Sequence, residues 1–198
     1  QIEDQLEFYS TVRTIRSIEQ SDVCLLLIDA QNGMERQDQA IFWQVVNSYR
    51  GVVILVNKWD LIEKDHQTMK TFEAAIRERI APFTDVPILF TSNLTKQRIL
   101  KAFEEAMEVY ENRNYKIPTS QLNDFLLPII QNQPPPMYKG KMVRIKYVTQ
   151  IKSQTPTFAF YCNLPQYIKD PYKRFLENHI RSEWDLSGVT IRLFFREK

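Results

Sequence analysis

The 198 residues predict an α/β architecture, with a parallel-sheet domain over 1–114 and a small α+β domain over 115–198. Two observations carry this. Apolar runs at 23–28, 52–56 and 86–90 are short and continuous, as in strands buried on both faces, and each leads into a stretch of helical periodicity. From residue 142 onward the pattern becomes period-two alternation, the mark of strands with one covered face.

In the first domain, the run at 23–28 closes with Asp29 and a turn at Asn32-Gly33. In the helix that follows, Ile41, Val45 and Tyr49 share a face, with Phe42 and Val46 beside them. After the second run, Met69, Phe72, Ile76 and Ile80 recur at helical spacing, and the helix stops near Pro82. The third run is preceded by Asp85 and interrupted by Pro87. Its helix is expected to bury Ile99, Phe103, Ala106 and Tyr110 and to expose Lys101, Glu104, Glu105 and Glu108. These stripes read as core, and nothing in them suggests a cofactor box.

In the second domain, Pro118 bars continuation of the preceding helix, and Thr119 or Ser120 offers a cap for a new one. Leu122, Phe125, Leu126, Ile129 and Ile130 form its apolar side, and it ends before the stiff spacer Pro134-Pro135-Pro136. Strands are expected at 142–150 and 157–162, joined by a hairpin loop at 152–156, with Phe158 and Phe160 on one face. Asp170-Pro171 marks another helix start, an acceptor cap followed by Pro at the first helical position. Its inward side is Phe175, Leu176, His179 and Ile180. Val189, Ile191, Leu193 and Phe195 then form a last strand, which gives helices layered on one face of a three-stranded sheet.

Chemistry concentrates directly after the second run, in Asn57-Lys58-Trp59-Asp60. A strand ending there sets a carboxylate at the carboxyl edge of a parallel sheet, where open α/β folds bind ligands. One carboxylate accepts both the N1–H and the 2-amino donors of guanine as a bidentate pair. Adenine, with an acceptor at N1 and no 2-amino group, leaves it unpaired, and sites of this kind reject such analogues by roughly 10⁴ to 10⁵. Asp60 is therefore the candidate specificity residue. Asn57 can donate to N7 or tie neighbouring loops together, the stem of Lys58 can lie along the base plane, and Trp59 is the free position. Taken alone the tetrapeptide is also an ordinary polar turn. Thr91-Ser92-Asn93, ending the next strand on the same edge, adds backbone N–H groups that can meet guanine O6.

These two segments resemble the fourth and fifth G motifs of TRAFAC-class GTPases, with Asn93 where such families usually carry Ala. The contact there is through the backbone, and the added side chain can crowd the base. Glu7-Phe8-Tyr9-Ser10 with Arg13-Thr14, Leu26-Leu27-Ile28-Asp29-Ala30 and Tyr172-Lys173-Arg174-Phe175-Leu176-Glu177-Asn178 resemble, more closely still, the Der (EngA) family of bacterial tandem GTPases. The similarity covers essentially the whole chain, across the end of the second G domain and the terminal KH-like domain. It implies a partial P-loop GTPase domain followed by a KH-like domain. It also implies GTP or GDP held by Asn57, Lys58, Asp60, Ser92 and Asn93, and GTP hydrolysis in the intact family member. The role implied is cytoplasmic, in ribosome biogenesis, at the 50S subunit and its rRNA.

A phosphate loop requires G-x-x-x-x-G-K-[ST]. The four glycines, at 33, 51, 140 and 188, do not form one, and Asp-x-x-Gly occurs only at 185–188, where it reads as a turn into the last strand. The resemblance places the phosphate loop, the switch threonine and the Mg²⁺ ligands ahead of residue 1. No catalytic residue and no metal ligand is thus assigned here, and the 198 residues alone are expected to be inactive, with an exposed edge on the strand at 23–28. The Gly-x-x-Gly clamp of nucleic-acid-binding KH modules is missing too.

Charge nevertheless partitions, with 13 Lys and Arg against 6 Asp and Glu in 115–198, and 13 against 18 in 1–114. Lys139, Lys141, Arg144 and Lys146 with Tyr138 and Tyr147, and Arg192 with Arg196, are expected to meet a phosphate backbone. Mutual attraction of the two domains is the other reading. The competing function is a non-catalytic module that docks rRNA, the ribosome or a protein without nucleotide. Cys24 and Cys162 read as buried free thiols, and His66 and His179 lack ligand company. No run approaches a membrane-spanning length, so no membrane partner is expected.

Overall fold

The computed structural model describes residues 12–197. It comprises two compact units, Gln1–Asn112 with Ser187–Thr190, and Arg113–Leu186 with Ile191–Lys198. The segment Glu7-Phe8-Tyr9-Ser10 lies outside the described residues.

The first unit begins with helix α1, described over 12–20. There follow β1 (Val23–Asp29), α2 (Arg36–Asn47), β2 (Gly51–Asn57), a 3-10 turn (Trp59–Leu61), α3 (Thr68–Ile80), β3 (Ile88–Phe90) and α4 (Ile99–Asn114). The three strands are parallel in the order β1-β2-β3, with Asp29 opposite Asn57 and Val56 opposite Phe90. Central β2 sends alternate side chains to opposite faces. Val52, Ile54 and Val56 pack with Phe42 and Val45 of α2 and Ile76 and Ile80 of α3, whereas Val53 and Leu55 pack with Ala102 and Val109 of α4. Helices on both faces explain why the strand reads as an unbroken aliphatic run.

Close approach of α4 fixes two glycines. A Cβ on Gly51 would stand 2.6 Å from Val109 Cγ1, and one on Gly188 would stand 2.5 Å from Val109 Cγ2 and 2.8 Å from the Val52 carbonyl oxygen. Gly188 also has φ of +74°, in the left-handed region. Its carbonyl accepts from Val52 N–H at 2.9 Å and its N–H donates to the Asp85 carbonyl at 2.8 Å, so Ser187–Thr190 hydrogen-bonds beside β2.

Several sequence expectations are corrected here. Val189 is buried in the first unit beside Val53 and Val109, and the last strand begins only at Arg192, past Ile191. On α4 the buried positions are Ala102 and Val109, one step round the helix from the expected stripe. Leu100, Phe103, Met107 and Tyr110, spaced along one side, are instead 79%, 60%, 59% and 42% exposed. Tyr49 lies beyond the end of α2 with a positive φ, and Met69 is exposed. Cys24 is half-buried, its Sγ 3.1 Å from Ser21 Oγ.

The second unit contains α5 (Thr119–Asn132), β4 (Ile145–Ile151), β5 (Thr157–Cys162), a 3-10 turn (Pro165–Tyr167), α6 (Asp170–Glu183) and β6 (Arg192–Glu197). β4 and β5 are antiparallel, β5 and β6 parallel. Phe158, Phe160 and Cys162 of β5 face Leu122, Leu126 and Ile130 of α5 and Leu176 and Ile180 of α6 in one core. The Tyr172 hydroxyl donates to the Gln133 carbonyl at 2.8 Å, tying α6 to the end of α5, and burial pushes its pKa up to about 12.

Both helix starts differ from expectation. Pro118 and Lys169 are the capping residues, neither giving a side-chain cap, while the Thr119 hydroxyl lies 3.0 Å from that of Thr149. Asp170 is already inside its helix, where its carboxylate favours the N-terminus of the dipole and pairs with Lys173 at 2.8 Å. Strand β4 starts at Ile145, three residues after the expected onset, because a tight turn closed by Tyr138 and Lys141 precedes it.

Candidate functional site

The ends of β1, β2 and β3 form the candidate site. β2 stops at Asn57 because Lys58 turns into the left-handed region, φ of 59°, and the chain then makes the short 3-10 turn that contains Asp60. Trp59, expected to be the free position, is 2% exposed. Its ring packs at 4.4 Å against Phe90 of β3 and edge-on at 5.2 Å against Phe72 of α3, with Lys64 Nζ 5.8 Å from the ring centroid. Trp59 N–H also donates to the Thr91 carbonyl at 3.0 Å, and Thr91 N–H to the Val56 carbonyl at 2.8 Å. The turn is thus held by the core below it and by the neighbouring loop.

Asn57 ties the two loops. Its Oδ1 accepts the Asn93 N–H at 3.3 Å and the Thr91 hydroxyl at 3.5 Å, which leaves the Nδ2 donors for an acceptor such as N7. Ser92 is fully buried; its Oγ accepts Thr95 N–H at 3.1 Å and its own N–H reaches the Gln97 carbonyl at 3.2 Å. Both backbone donors expected to meet O6 are therefore engaged. The acceptor for Asn93 is a side chain that can rotate, whereas the acceptor for Ser92 belongs to a β-bridge. Exposed Asn93 lines, with Lys96, Ile99 and Leu100, an open recess of about 580 Å³.

Lys58 has a partner that the sequence did not reveal. Its Nζ donates to Asp29 Oδ2 at 2.6 Å, and that bond, with Gln31 N–H on the other carboxylate oxygen, holds the Asp29 carboxyl below its usual range. The signal was the parallel register, which sets Asp29 beside Asn57, and no single-strand pattern carries it. The ammonium is thereby directed to the β1 end while the stem remains half-exposed. Asp60, half-buried in its turn, forms no ion pair and no hydrogen bond among the described residues. No group of three or more His, Cys, Asp or Glu able to hold a metal ion occurs among those residues.

Known proteins resemble both parts of the chain. A family model described as the elongation factor Tu GTP binding domain matches residues 7–131, and one described as the KH-domain-like region of EngA bacterial GTPase enzymes, C-terminal, matches 116–196. Among curated proteins, "GTPase Der" of Flavobacterium psychrophilum is 57% identical over all of this chain and 45% of its own length. "GTPase Der" of Bacteroides fragilis is 56% identical over all of this chain and 46% of its own. The chain spans about half the length of these relatives. Among solved structures, Era of Aquifex aeolicus bound to GDP and aluminium fluoride superposes with a TM-score of 0.42 at 17% identity, covering 93% of this chain and 68% of that one.

Proposed function

This chain belongs to the family of the elongation factor Tu GTP binding domain, and we propose that it supplies the guanine-reading half of a GTPase that acts in assembly of the 50S ribosomal subunit. The observation that supports this best is Asp60: a carboxylate without a partner among the described residues, at the carboxyl edge of a parallel sheet, in a turn fixed by Trp59, Asn57 and Thr91. In this reading both Asp60 oxygens accept from guanine N1–H and the 2-amino group, Asn57 Nδ2 donates to N7, and the Lys58 stem covers one face of the base while Asp29 holds its ammonium. Asn93 N–H leaves Asn57 to meet O6, and Ser92 shapes the loop.

Phosphate binding, Mg²⁺ coordination and hydrolysis are assigned to other parts of an intact protein. The exposed apolar side of α4 and Leu27 of β1, 51% exposed, support a further layer of the same protein covering this side of the sheet. The excess positive charge after residue 115 supports contact of the KH-like unit with rRNA. No helix among the described residues is long and apolar enough to cross a membrane; the cytoplasmic, ribosome-associated location belongs to the proposal.

The test uses the full-length protein with Asp60→Asn. Weakening two charge-assisted hydrogen bonds of about 1.5–3 kcal/mol each should cut the preference for GTP over ATP by about 10² to 10⁴-fold. An unchanged ratio removes Asp60 from this role.

A further inference from the structure

The second unit carries an aromatic and basic cluster at the margin of its core, against which Tyr167 packs. Tyr138 and Tyr167 stack at 4.2 Å with 18° between their planes, and the ammonium groups of Lys139 and Lys169 stand 5.6 and 5.8 Å from the Tyr138 ring centroid. The tyrosines are half-buried and both lysines exposed. Tyr138 and Lys141 close a tight turn through reciprocal backbone bonds of 3.0 and 2.9 Å. Lys139 and Gly140 at its tip have φ of 47° and 75°. A lysine is disfavoured in that conformation, where glycine or asparagine is usual, so the turn presents Lys139 at a conformational cost. Met137 and Met142 flank the turn, 61% and 49% exposed. The nearby carboxylate, Asp170, is engaged by Lys173.

The arrangement differs from the sequence expectation in one respect that sharpens it. Tyr147, expected beside Tyr138, stacks instead on Tyr161 across β4 and β5 at 4.4 Å. The basic aromatic surface is thus centred on the turn and on Lys169 at the start of α6.

We propose that this cluster of Tyr138, Lys139, Lys141, Tyr167 and Lys169 is a binding site for single-stranded RNA. The three lysines meet backbone phosphates and the aromatic pair offers a stacking platform for a base. The combination is what sequence-tolerant binding of single strands requires: cations tracking the backbone and a π surface held by its neighbours. An anionic lipid surface would need the cations but not the stacked pair. The proposal rests on the rRNA reading of the basic unit and names where that contact lies.

The test measures binding of the full chain to a fluorescein-labelled, mixed-sequence single-stranded RNA of about 12 nucleotides, within the range for such sites. Fluorescence anisotropy is read between about 50 and 200 mM salt. Lys139→Glu with Lys169→Glu should weaken binding at least about tenfold and flatten the plot of log affinity against log salt by about 1.4, the share of two phosphate contacts on a single strand. Tyr138→Leu should weaken it roughly fivefold or more with little change in slope.

The control is Lys116→Glu with Lys152→Glu, the same charge change on residues lining a separate cavity of about 480 Å³ in this unit. It should retain most of the affinity. If the wild type binds RNA but the first pair of substitutions changes nothing, or the control weakens binding equally, the location is wrong while the RNA reading stands. If the wild type ignores RNA, or binds vesicles of anionic phosphatidylserine in preference to it, the RNA reading itself falls.

Discussion

Replacing Trp59 by Ala tests whether the candidate guanine site is held from beneath. The side chain is 2% exposed and packs on Phe90 and Phe72, so truncation removes the filling between β3 and α3 directly under the turn that carries Asp60. A buried Trp→Ala change costs about 3–5 kcal/mol. The two ring pairs lost account for about 0.5–1.5 kcal/mol each of that. A domain of this size holds about 5–15 kcal/mol in total, so the variant sits close to the limit of folding. Native-state hydrogen exchange at the β2 amides reads the first unit separately from the second, which a global melt does not. Protection there should fall by about 3–5 kcal/mol in Trp59→Ala. In Trp59→Phe, which keeps an aromatic ring, it should fall by less. A loss below about 1 kcal/mol in Trp59→Ala, the level of an ordinary surface change, would refute the anchoring role.

Three further outcomes follow from the same geometry. Gly188→Ala introduces a Cβ 2.8 Å from the Val52 carbonyl oxygen at a positive φ; overpacking and backbone strain should together cost about 2–5 kcal/mol in the first unit, and hydrogen exchange at Val52 reads it. Tyr172 has its pKa raised to about 12 by burial. Its unfolded form ionises near pH 10, so its contribution to the stability of the second unit is complete below about pH 10 and is lost between about 10 and 12. Tyr172→Phe should lose about 1 kcal/mol at neutral pH and flatten that alkaline fall, as urea unfolding across the range will show. Asp29 titrates below the usual carboxylate range because Lys58 donates to it, so the pair persists above that range and is lost only as pH falls through the lowered value. Lys58→Gln should raise the Asp29 midpoint followed by carboxyl NMR, and an unmoved midpoint would exclude Lys58 as the cause.

The parallel sheet was legible because every residue of β2 from Gly51 to Val56 is buried, and a strand covered on both faces leaves an unmistakable aliphatic run. Helix faces were harder. On α4 the expected stripe through Phe103 and Tyr110 is exposed and the small residue Ala102 is buried with Val109, because a helix crossing close to β2 needs small side chains at the contact and hydrophobicity alone does not report that. The fate of Val189 was illegible for a related reason. Its alternation with Ile191 and Leu193 mimics a strand, but the carbonyl of Gly188 bonds to a residue more than one hundred positions earlier. At the candidate site, the residues proposed to face a base were named from motif spacing alone. Those that position them, Trp59 from the core and Asp29 from the adjacent strand, needed the register of three strands.

Selectivity and affinity have different sources in such a site, and this separation decides which measurement bears on the chain. Discrimination between GTP and ATP is a difference between two ligands with the same triphosphate, so every phosphate and metal contact cancels from it and only the base edge remains. In the proposed site, Asp60, Asn57 and the 91–93 loop are assigned to that difference alone. Affinity, by contrast, draws on phosphate and cation contacts for which the described residues offer no ligand set. A weak or undetectable dissociation constant for these 198 residues is therefore compatible with full guanine selectivity in an intact protein. The reading of Asp60 stands or falls on the ratio of two affinities, measured where the phosphate contacts are present and identical for both.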